Sequence, residues 1–197
     1  MSEVLGRFRP THIVRSIEGV TPEALEASGL GDIDAIAVDS DGTGTDYHAE
    51  FIEDSVRETY MTLARAGIRL YVVTNSYNAR VDTLRGMYEH SELGMKVITP
   101  EMVSGGDNPK KYRKPKSDML ELIQQEVGSR VLMIGDQMMK DVWSANKAGA
   151  PSVLLPRRGE GDDPNVRRFQ RPVELRLRQR LHLPIEDSDY PEFVTAA

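Results

Sequence analysis

Short runs of apolar residues alternate along the chain with longer segments in which apolar residues recur at helical spacing. One run, from Ala35 to Val38, is apolar throughout and stops at two aspartates, which indicates a buried strand that ends at a polar turn. Further strands are predicted over 68–73, 96–98, 131–134 and 152–155, and helices over 22–28, 48–66, 79–90, 119–127 and 138–148. This alternation predicts an α/β fold, a doubly wound, Rossmann-like parallel sheet with helices on both faces.

The bulk composition restricts the classes of function. The chain of 197 residues carries a formal net charge of -6, which argues against general nucleic-acid binding. It contains no cysteine, so a metal site must use oxygen or imidazole ligands. The first residues lack the apolar core of a secretory signal, and no apolar run approaches the ~20 residues that span a bilayer. We therefore expect a cytoplasmic protein.

Polar side chains follow several of the predicted strands at the point where each strand ends. The carboxyl ends of parallel strands meet at one edge of a sheet, so residues distant in sequence can converge there. A lysine before a proline at a predicted helix start and an acid one turn into the helix after 131–134 complete the candidate set. Its members are Asp39, Asp41, Thr74, Asn75, Lys114, Asp136 and Asp141.

These residue types suit phosphoryl transfer. Clustered carboxylates repel one another unless a cation lies between them, and Mg²⁺ suits a site of one or two carboxylates with water and phosphate. A lysine and a threonine hydroxyl suit phosphate oxygens. A carboxylate can attack phosphorus to form an aspartyl-phosphate while a second acid protonates the leaving oxygen.

The segment Asp39-Ser40-Asp41-Gly42-Thr43 resembles the first motif of the haloacid dehalogenase (HAD) superfamily of phosphatases. Three further motifs follow in the order typical of that family, within residues 34–155: Thr74, Lys114-Pro115, and Gly135-Asp136 with Asp141. Other segments resemble the YqeG-like branch (subfamily IIIA), which is related to phosphatidylglycerophosphate phosphatases: Arg9-Pro10, Ser16-Ile17, Thr21-Pro22-Glu23 and Gly135-Asp136-Gln137.

The resemblance implies a role for each matching residue. Asp39 would be the nucleophile and a metal ligand, and Asp41 the general acid/base with its backbone carbonyl on Mg²⁺. Asp136 would complete the metal site, and Asp141 would support the metal ligands without binding the metal itself. The residues that would hold the phosphoryl group are Thr74, Asn75 and Lys114.

The chain departs from the pattern of this branch at several positions around the motifs. Leucine, asparagine, an apolar residue and threonine are usual at the positions occupied here by Ser40, Gly42, Asp46 and Lys140. The catalytic carboxylates are unaffected, so these departures concern the choice of substrate.

The spacing of the motifs leaves no room for a cap domain, the insertion with which HAD enzymes commonly select small metabolites. About thirty residues separate Asp41 from Thr74, about forty separate Thr74 from Lys114, and predicted helices and strands fill both intervals. A capless HAD-like core suits a large or surface-bound phosphate ester, such as a phospholipid head group. Alternatively, another subunit of a homo-oligomer lends the cap.

The sequence divides into a phosphatase core, residues 1–156 with an N-terminal extension over 1–32, and a C-terminal segment, 157–197, in the same domain or appended to it. The segment is rich in arginine, and five apolar residues fall on one predicted helical face: Val166, Phe169, Val173, Leu177 and Leu181. Either this face packs onto the core, or the basic helix makes peripheral contact with an anionic membrane. The acidic end, 185–197, is expected to be frayed.

The loop from Asp39 to Glu50 also fits the spacing of an EF-hand, with glycine at the sixth position. This alternative predicts a non-catalytic module that binds Ca²⁺ or phosphate and regulates a partner. It requires a helix that leads into Asp39, whereas the apolar run before Asp39 predicts a strand.

Overall fold

The computed structural model describes residues 3–128 and 130–196, and its described strands form one central sheet. The strands are β1 (His12–Val14), β2 (Ala35–Val38), β3 (Arg69–Val73), β4 (Lys96–Ile98), β5 (Val131–Gly135), β6 (Ser152–Leu154) and β7 (Phe193–Thr195). They lie in the order β4-β3-β2-β5-β6-β1-β7, with β1 to β6 parallel and β7 antiparallel to β1. The predicted α/β fold with a parallel sheet is confirmed.

Helices connect the strands and cover both faces of the sheet. The α-helices are α1 (Glu3–Gly6), α2 (Pro22–Ala27), α3 (Asp54–Arg65), α4 (Ala79–Leu84), α5 (Pro100–Ser104), α6 (Asp118–Val127), α7 (Trp143–Lys147) and α8 (Arg171–Leu181). Wider π-helical turns extend three of them: Arg85–Glu89 continues α4, Met138–Val142 leads into α7, and Val166–Gln170 leads into α8. Short 3₁₀ turns cover Ile17–Gly19, Pro109–Tyr112 and Asp187–Asp189.

Strand β2 shows how the apolar pattern builds the core. Ile36 and Val38 belong to a cluster that also contains residues of α3, while Ala35 and Ala37 belong to a cluster with residues of α6 on the opposite face. Successive side chains of a strand point to opposite faces, so a strand covered on both sides is apolar at every position. This burial fixes β2 at the centre of the sheet and its polar end at one edge.

Three predictions from the sequence differ from the structure. The helix predicted over 48–66 begins only at Asp54, and α5 occupies a stretch where no helix was predicted, with the Thr99 side chain capping its start. The end predicted to be frayed, 185–197, is folded as far as the described residues reach, at 196, because β7 pairs with β1 and Tyr190 before it is only 1% exposed; residue 197 lies outside the described residues. The pairing of β7 with β1, which lies near the other end of the chain, produces no periodic pattern in the local sequence, so it could not be predicted there.

The apolar face predicted for the C-terminal helix is partly wrong. Val166 and Leu181 are buried, but Phe169 is 62% exposed and Val173 is 40% exposed. The helix instead turns charged side chains inward, because the residue it packs against is a buried aspartate, as described below.

Candidate active site

The central strands bring the predicted site residues together. Strands β3, β2 and β5 are neighbours, and Thr74, Asp39 and Asp136 each follow the last residue of one of them. The parallel direction of the three strands places these residues at the same edge. The convergence predicted from the sequence is therefore present in the structure.

Three carboxylates form a compact cluster at this edge. Asp39, Asp136 and Asp141 each offer an oxygen, and these oxygens all lie within 4.8 Å of one another. All three residues are buried, with Asp136 at 0% exposure. A group of hard oxygen donors at this separation fits a divalent cation such as Mg²⁺. Asp141 contributes an oxygen to the cluster directly, whereas the sequence predicted only a supporting position for it.

Lys114 is the counter-charge inside this cluster. Its Nζ contacts Asp39 Oδ1 and donates hydrogen bonds to Asp141 Oδ1 (2.7 Å) and to the backbone oxygen of Val73 (2.9 Å). Burial disfavours the charged ammonium, but the carboxylates of Asp141 and Asp39 outweigh it and raise the pKa of Lys114. The lysine therefore remains a buried cation beside the proposed nucleophile.

The protonation of Asp39 reflects the same surroundings. Burial is the main cause that raises its pKa to about 7, while Lys114 lowers it and the neighbouring carboxylates of Asp141 and Asp136 raise it further. A cation within the cluster would favour the ionised form, which a nucleophile needs.

The backbone of Lys114 is held by Asn75. The Asn75 side chain accepts a hydrogen bond from the Lys114 N–H (2.7 Å) and donates one to the Lys114 carbonyl (3.1 Å). The amide oxygen and one amide N–H are thus bonded to Lys114, which gives the Asn75 side chain a positioning role, while the phosphate contact of Asn75 stays a prediction. Thr74, which is buried, accepts a hydrogen bond from the N–H of Ser76 (3.1 Å).

The carboxylate of Asp41 is held from the neighbouring helix. Its Oδ1 accepts a hydrogen bond from Arg80 Nη2 (2.5 Å) and another from the backbone N–H of His48 (3.0 Å). Arg80 also donates to the carbonyl of Ala49 (2.6 Å). Arg80 was not predicted as a site residue, because a single arginine near a helix start carries no local signal of its partner.

The C-terminal helix contributes a second arginine that the sequence analysis missed. Arg171 Nη2 contacts Asp136 Oδ2, its Nη1 donates to Glu174 (3.0 Å) and its Nε donates to Asp162 (3.0 Å). Burial raises the pKa of Asp136, and Arg171 opposes that rise. Arg178 approaches the same residue, donating to the Asp136 carbonyl at 3.3 Å. Positions 171, 174 and 178 recur at helical spacing, and that charged stripe was the available signal.

Two glycines permit this close packing. A Cβ on Gly135 would overlap the carboxylate of Asp141. Gly42 has a φ of 84° and faces Asp136, where a Cβ would lie 3.3 Å from Oδ2. Glycine is favoured at positive φ and where backbone and side chains approach closely.

A cavity of about 730 Å³ opens onto Asp39 and Asp41. Asp162, Asp163, Asn165 and Val166 line part of it, so one wall comes from the C-terminal segment of the same chain. The remaining lining residues are Asp39, Asp41, Tyr47, His48, Thr74, Asn75, Ser76, Tyr77, Arg80, Arg113, Lys114, Gln137 and Lys140. Lys140, one of the departures from the family pattern, therefore borders this cavity.

The structure contradicts the EF-hand alternative. Residues Ala35–Val38 before Asp39 form β2 rather than an entering helix. Glu50, the twelfth position of the proposed loop, is exposed, and the cluster of potential ligands is built instead from Asp39, Asp136 and Asp141. The acids meet through the sheet, not through one continuous loop.

Known proteins share sequence features with this chain. A family described as HAD-hydrolase-like matches residues 111–175. The chain is 25% identical over 170 residues to the "Probable phosphatase YqeG" of Bacillus subtilis (strain 168), covering 86% of this chain and 89% of the relative.

Within residues 3–128 and 130–196, every helix is too short or too polar to cross a bilayer.

Two solved structures align with part of this chain. A single-mutant thermostable NPPase from Geobacillus stearothermophilus is 11% identical, with a TM-score of 0.47, covering 71% of this chain and 92% of that one. An uncharacterized protein from Listeria monocytogenes serotype 4b is 16% identical, with a TM-score of 0.46, covering 67% of this chain and 85% of that one.

Proposed function

We propose that this chain, which matches a HAD-hydrolase-like family over residues 111–175, is a Mg²⁺-dependent phosphatase that cleaves a phosphomonoester through an aspartyl-phosphate on Asp39. The observation that carries the proposal is the cluster of Asp39, Asp136 and Asp141 beyond the carboxyl ends of β2 and β5, with Lys114 bonded to Asp39 and Asp141. This arrangement supports a nucleophile, a cation site and a phosphate-binding lysine at one edge of the sheet.

Asp39, Asp136 and the backbone carbonyl of Asp41 would hold the metal. The cluster fits a divalent cation because its members are all oxygen donors and buried together. When bound, the metal would supply positive charge beside the transferred phosphoryl group and reduce the repulsion among the carboxylates.

The protein groups account for both halves of the reaction. An oxygen of Asp39 attacks phosphorus, the bond from phosphorus to the ester oxygen breaks, and Asp41 gives its proton to the departing alcohol. Asp41 then takes a proton from water, whose oxygen attacks the same phosphorus. The bond from phosphorus to Asp39 breaks, which releases inorganic phosphate and restores the carboxylate. Lys114 and Thr74 would stabilise the charge on the phosphoryl oxygens.

The test is hydrolysis of an aryl phosphate by the wild type and by Asp39→Asn. We expect turnover with Mg²⁺, inhibition by Ca²⁺, whose looser coordination misplaces the nucleophile, and a loss on the order of 10⁴-fold or more in Asp39→Asn. Asp54→Asn, an exposed aspartate at the start of α3, is the matched control and should retain wild-type turnover. Undiminished turnover in Asp39→Asn would contradict the proposal.

For the substrate, we propose a phosphate ester presented on an anionic membrane, such as a phospholipid head group. The support is the exposed face of the C-terminal helix, where Phe169, Val173 and Leu175 are 62%, 40% and 43% exposed. Four arginines of the same helical segment are also exposed: Arg167, Arg168, Arg176 and Arg180. Glu174, the acidic residue of this helical segment, is buried, so the exposed side chains of the segment combine positive charge with apolar surface.

Co-sedimentation with vesicles tests this substrate class. We expect binding to vesicles that contain anionic phospholipid but not to neutral ones, and loss of binding in the triple variant Arg168→Gln/Arg176→Gln/Arg180→Gln. A triple variant with the same change of charge at exposed positions elsewhere, Arg65→Gln/Lys110→Gln/Lys111→Gln, should still bind. Absence of wild-type binding at low salt would remove the membrane from the proposal and leave the phosphatase intact.

A further inference from the structure

Arg80 joins the helix after β3 to both ends of the loop after β2. Its Nη2 bonds Asp41 Oδ1 at 2.5 Å, and its Nη1 donates to the carbonyl of Ala49 at 2.6 Å. The pair is largely enclosed, with the side chains of Arg80 and Asp41 only 12% and 17% exposed. A guanidinium can make two such contacts in a fixed geometry because its donors are planar and rigidly spaced.

These contacts restrict Asp41 to one orientation. Its Oδ1 accepts from both Arg80 and the backbone N–H of His48 (3.0 Å), which leaves Oδ2 for proton transfer. The loop that carries Asp41 continues to Ala49 without a helix or strand. Turn hydrogen bonds and an isolated bridge between Asp41 and Thr45 shape its backbone, and Arg80 ties it to the neighbouring helix. Proton transfer requires the donor to lie within hydrogen-bond reach of the leaving oxygen, so a small displacement would slow it.

We propose that Arg80 is a positioning residue for Asp41 and that it sets how well the enzyme expels leaving groups that need a proton. The inference rests on the proposed function, in which Asp41 protonates the departing oxygen. It goes further because it assigns a residue outside all four motifs and predicts which phosphate esters depend on that residue.

The experiment compares two esters that differ in their need for a proton. The ratio kcat/KM covers the steps up to the first cleavage of the phosphorus–oxygen bond, and therefore reports expulsion of the leaving group. Arg80→Met should lower kcat/KM about 100-fold for an alkyl phosphate, whose alkoxide must be protonated, but less than about 5-fold for 4-nitrophenyl phosphate.

Three further variants complete the series. Arg80→Lys should recover about 10-fold of the alkyl phosphate loss, because an ammonium can reach Asp41 or Ala49 but cannot reproduce both contacts. Asp41→Asn should show the same selectivity for leaving group as Arg80→Met. Arg85→Met is the matched control, since Arg85 lies on the same helical segment and pairs with Glu89 at the surface, and it should behave as wild type with both esters.

The outcomes separate the inference from the proposed function. Equal losses for both esters in Arg80→Met, or no loss for either, would overturn the positioning role, while a selective loss in Asp41→Asn would still support the acid role. Unchanged kinetics in Asp41→Asn would overturn both. If Arg80→Met does not fold, Arg80→Lys decides: a loss confined to the alkyl ester supports the role, and an equal loss refutes it.

Discussion

Arg171 on the C-terminal helix contacts Asp136, the fully buried aspartate that directly follows β5. The two residues are 35 positions apart, and the contact brings a charge from outside the region of the four motifs into the carboxylate cluster. Glu174 and Asp162 complete the set of acids around the same guanidinium. Arg171 therefore balances buried negative charge that Lys114 alone does not reach.

Replacement of Arg171 by methionine should destabilise the fold. Asp136 and Glu174 would be left as buried carboxylates without this partner, and breaking a buried pair in this way typically costs about 3–5 kcal/mol. Urea unfolding followed by circular dichroism measures the change in free energy. Arg167→Met, an exposed arginine on the same helical segment, should remain within about 0.5 kcal/mol of wild type. A loss below about 1 kcal/mol in Arg171→Met would show that the pair is not a stabilising contact.

Asn75→Ala should reduce activity through Lys114. The substitution removes the two hydrogen bonds that hold the Lys114 backbone, of 2.7 and 3.1 Å, so the ammonium would be less well placed. We expect kcat/KM to fall by roughly 10-fold and the unfolding free energy by about 1–3 kcal/mol. Steady-state kinetics and chemical denaturation measure the two effects. Gln125→Ala, an exposed amide on α6, should change neither, and wild-type kinetics in Asn75→Ala would contradict the positioning role.

Gly135→Ala should disrupt the carboxylate cluster by displacing Asp141. The added methyl would overlap Asp141 Cγ, so Asp141 must move, and its contact with Lys114 would be disturbed. We expect overpacking to cost about 1–3 kcal/mol and turnover to fall by roughly 10-fold or more. Thermal unfolding and aryl phosphate hydrolysis measure the outcome. Gly86→Ala, where a Cβ meets nothing within 4 Å, should be neutral or slightly stabilising. A fully active, equally stable Gly135→Ala protein would show that the site tolerates the shift.

The pH dependence of stability should contain a contribution from His12. Burial lowers the pKa of His12 below its ordinary value of 6.5, although the carbonyl of Ser28 opposes this. The unfolded chain therefore binds the proton more tightly, so this contribution is present above pH 6.5 and is lost as the pH falls through the lower folded-state pKa.

Unfolding free energies between pH 8 and 5 test this expectation. The wild type should lose stability toward the acid end more steeply than His12→Leu, which lacks the titrating ring. His90→Gln, which replaces an exposed histidine, should follow the wild-type slope. Parallel slopes for the wild type and His12→Leu would exclude the contribution.

The strands that position the site could be predicted because each is apolar at nearly every residue. Strands β2 and β5 are buried on both faces, and the side chains that follow them are polar, so Asp39 and Asp136 could be identified from local sequence alone. Strands β1 and β7 were missed because neither stands out as an apolar run. Strand β1 begins with His12, and β7 ends with Thr195 and is half-buried to exposed.

The arginines could not be assigned in the same way. Arg80 and Arg171 act on residues that are 39 and 35 positions away, and those partners are determined only when helices pack onto the sheet. Arginines at helical spacing with apolar neighbours also fit an exposed amphipathic face, which part of the same helix forms. The sequence therefore predicted the carboxylates and the lysine of the site better than the arginines that surround them.

The position of Arg171 and Arg178 against Asp136 affects how this enzyme can be recombined with its relatives. A chimera that exchanges only the stretch between the first and last motifs would join one protein's aspartates to another protein's counter-ions. The helix Arg171–Leu181 should therefore be transferred together with the sheet, as one inherited unit, in any domain shuffling or ancestral reconstruction.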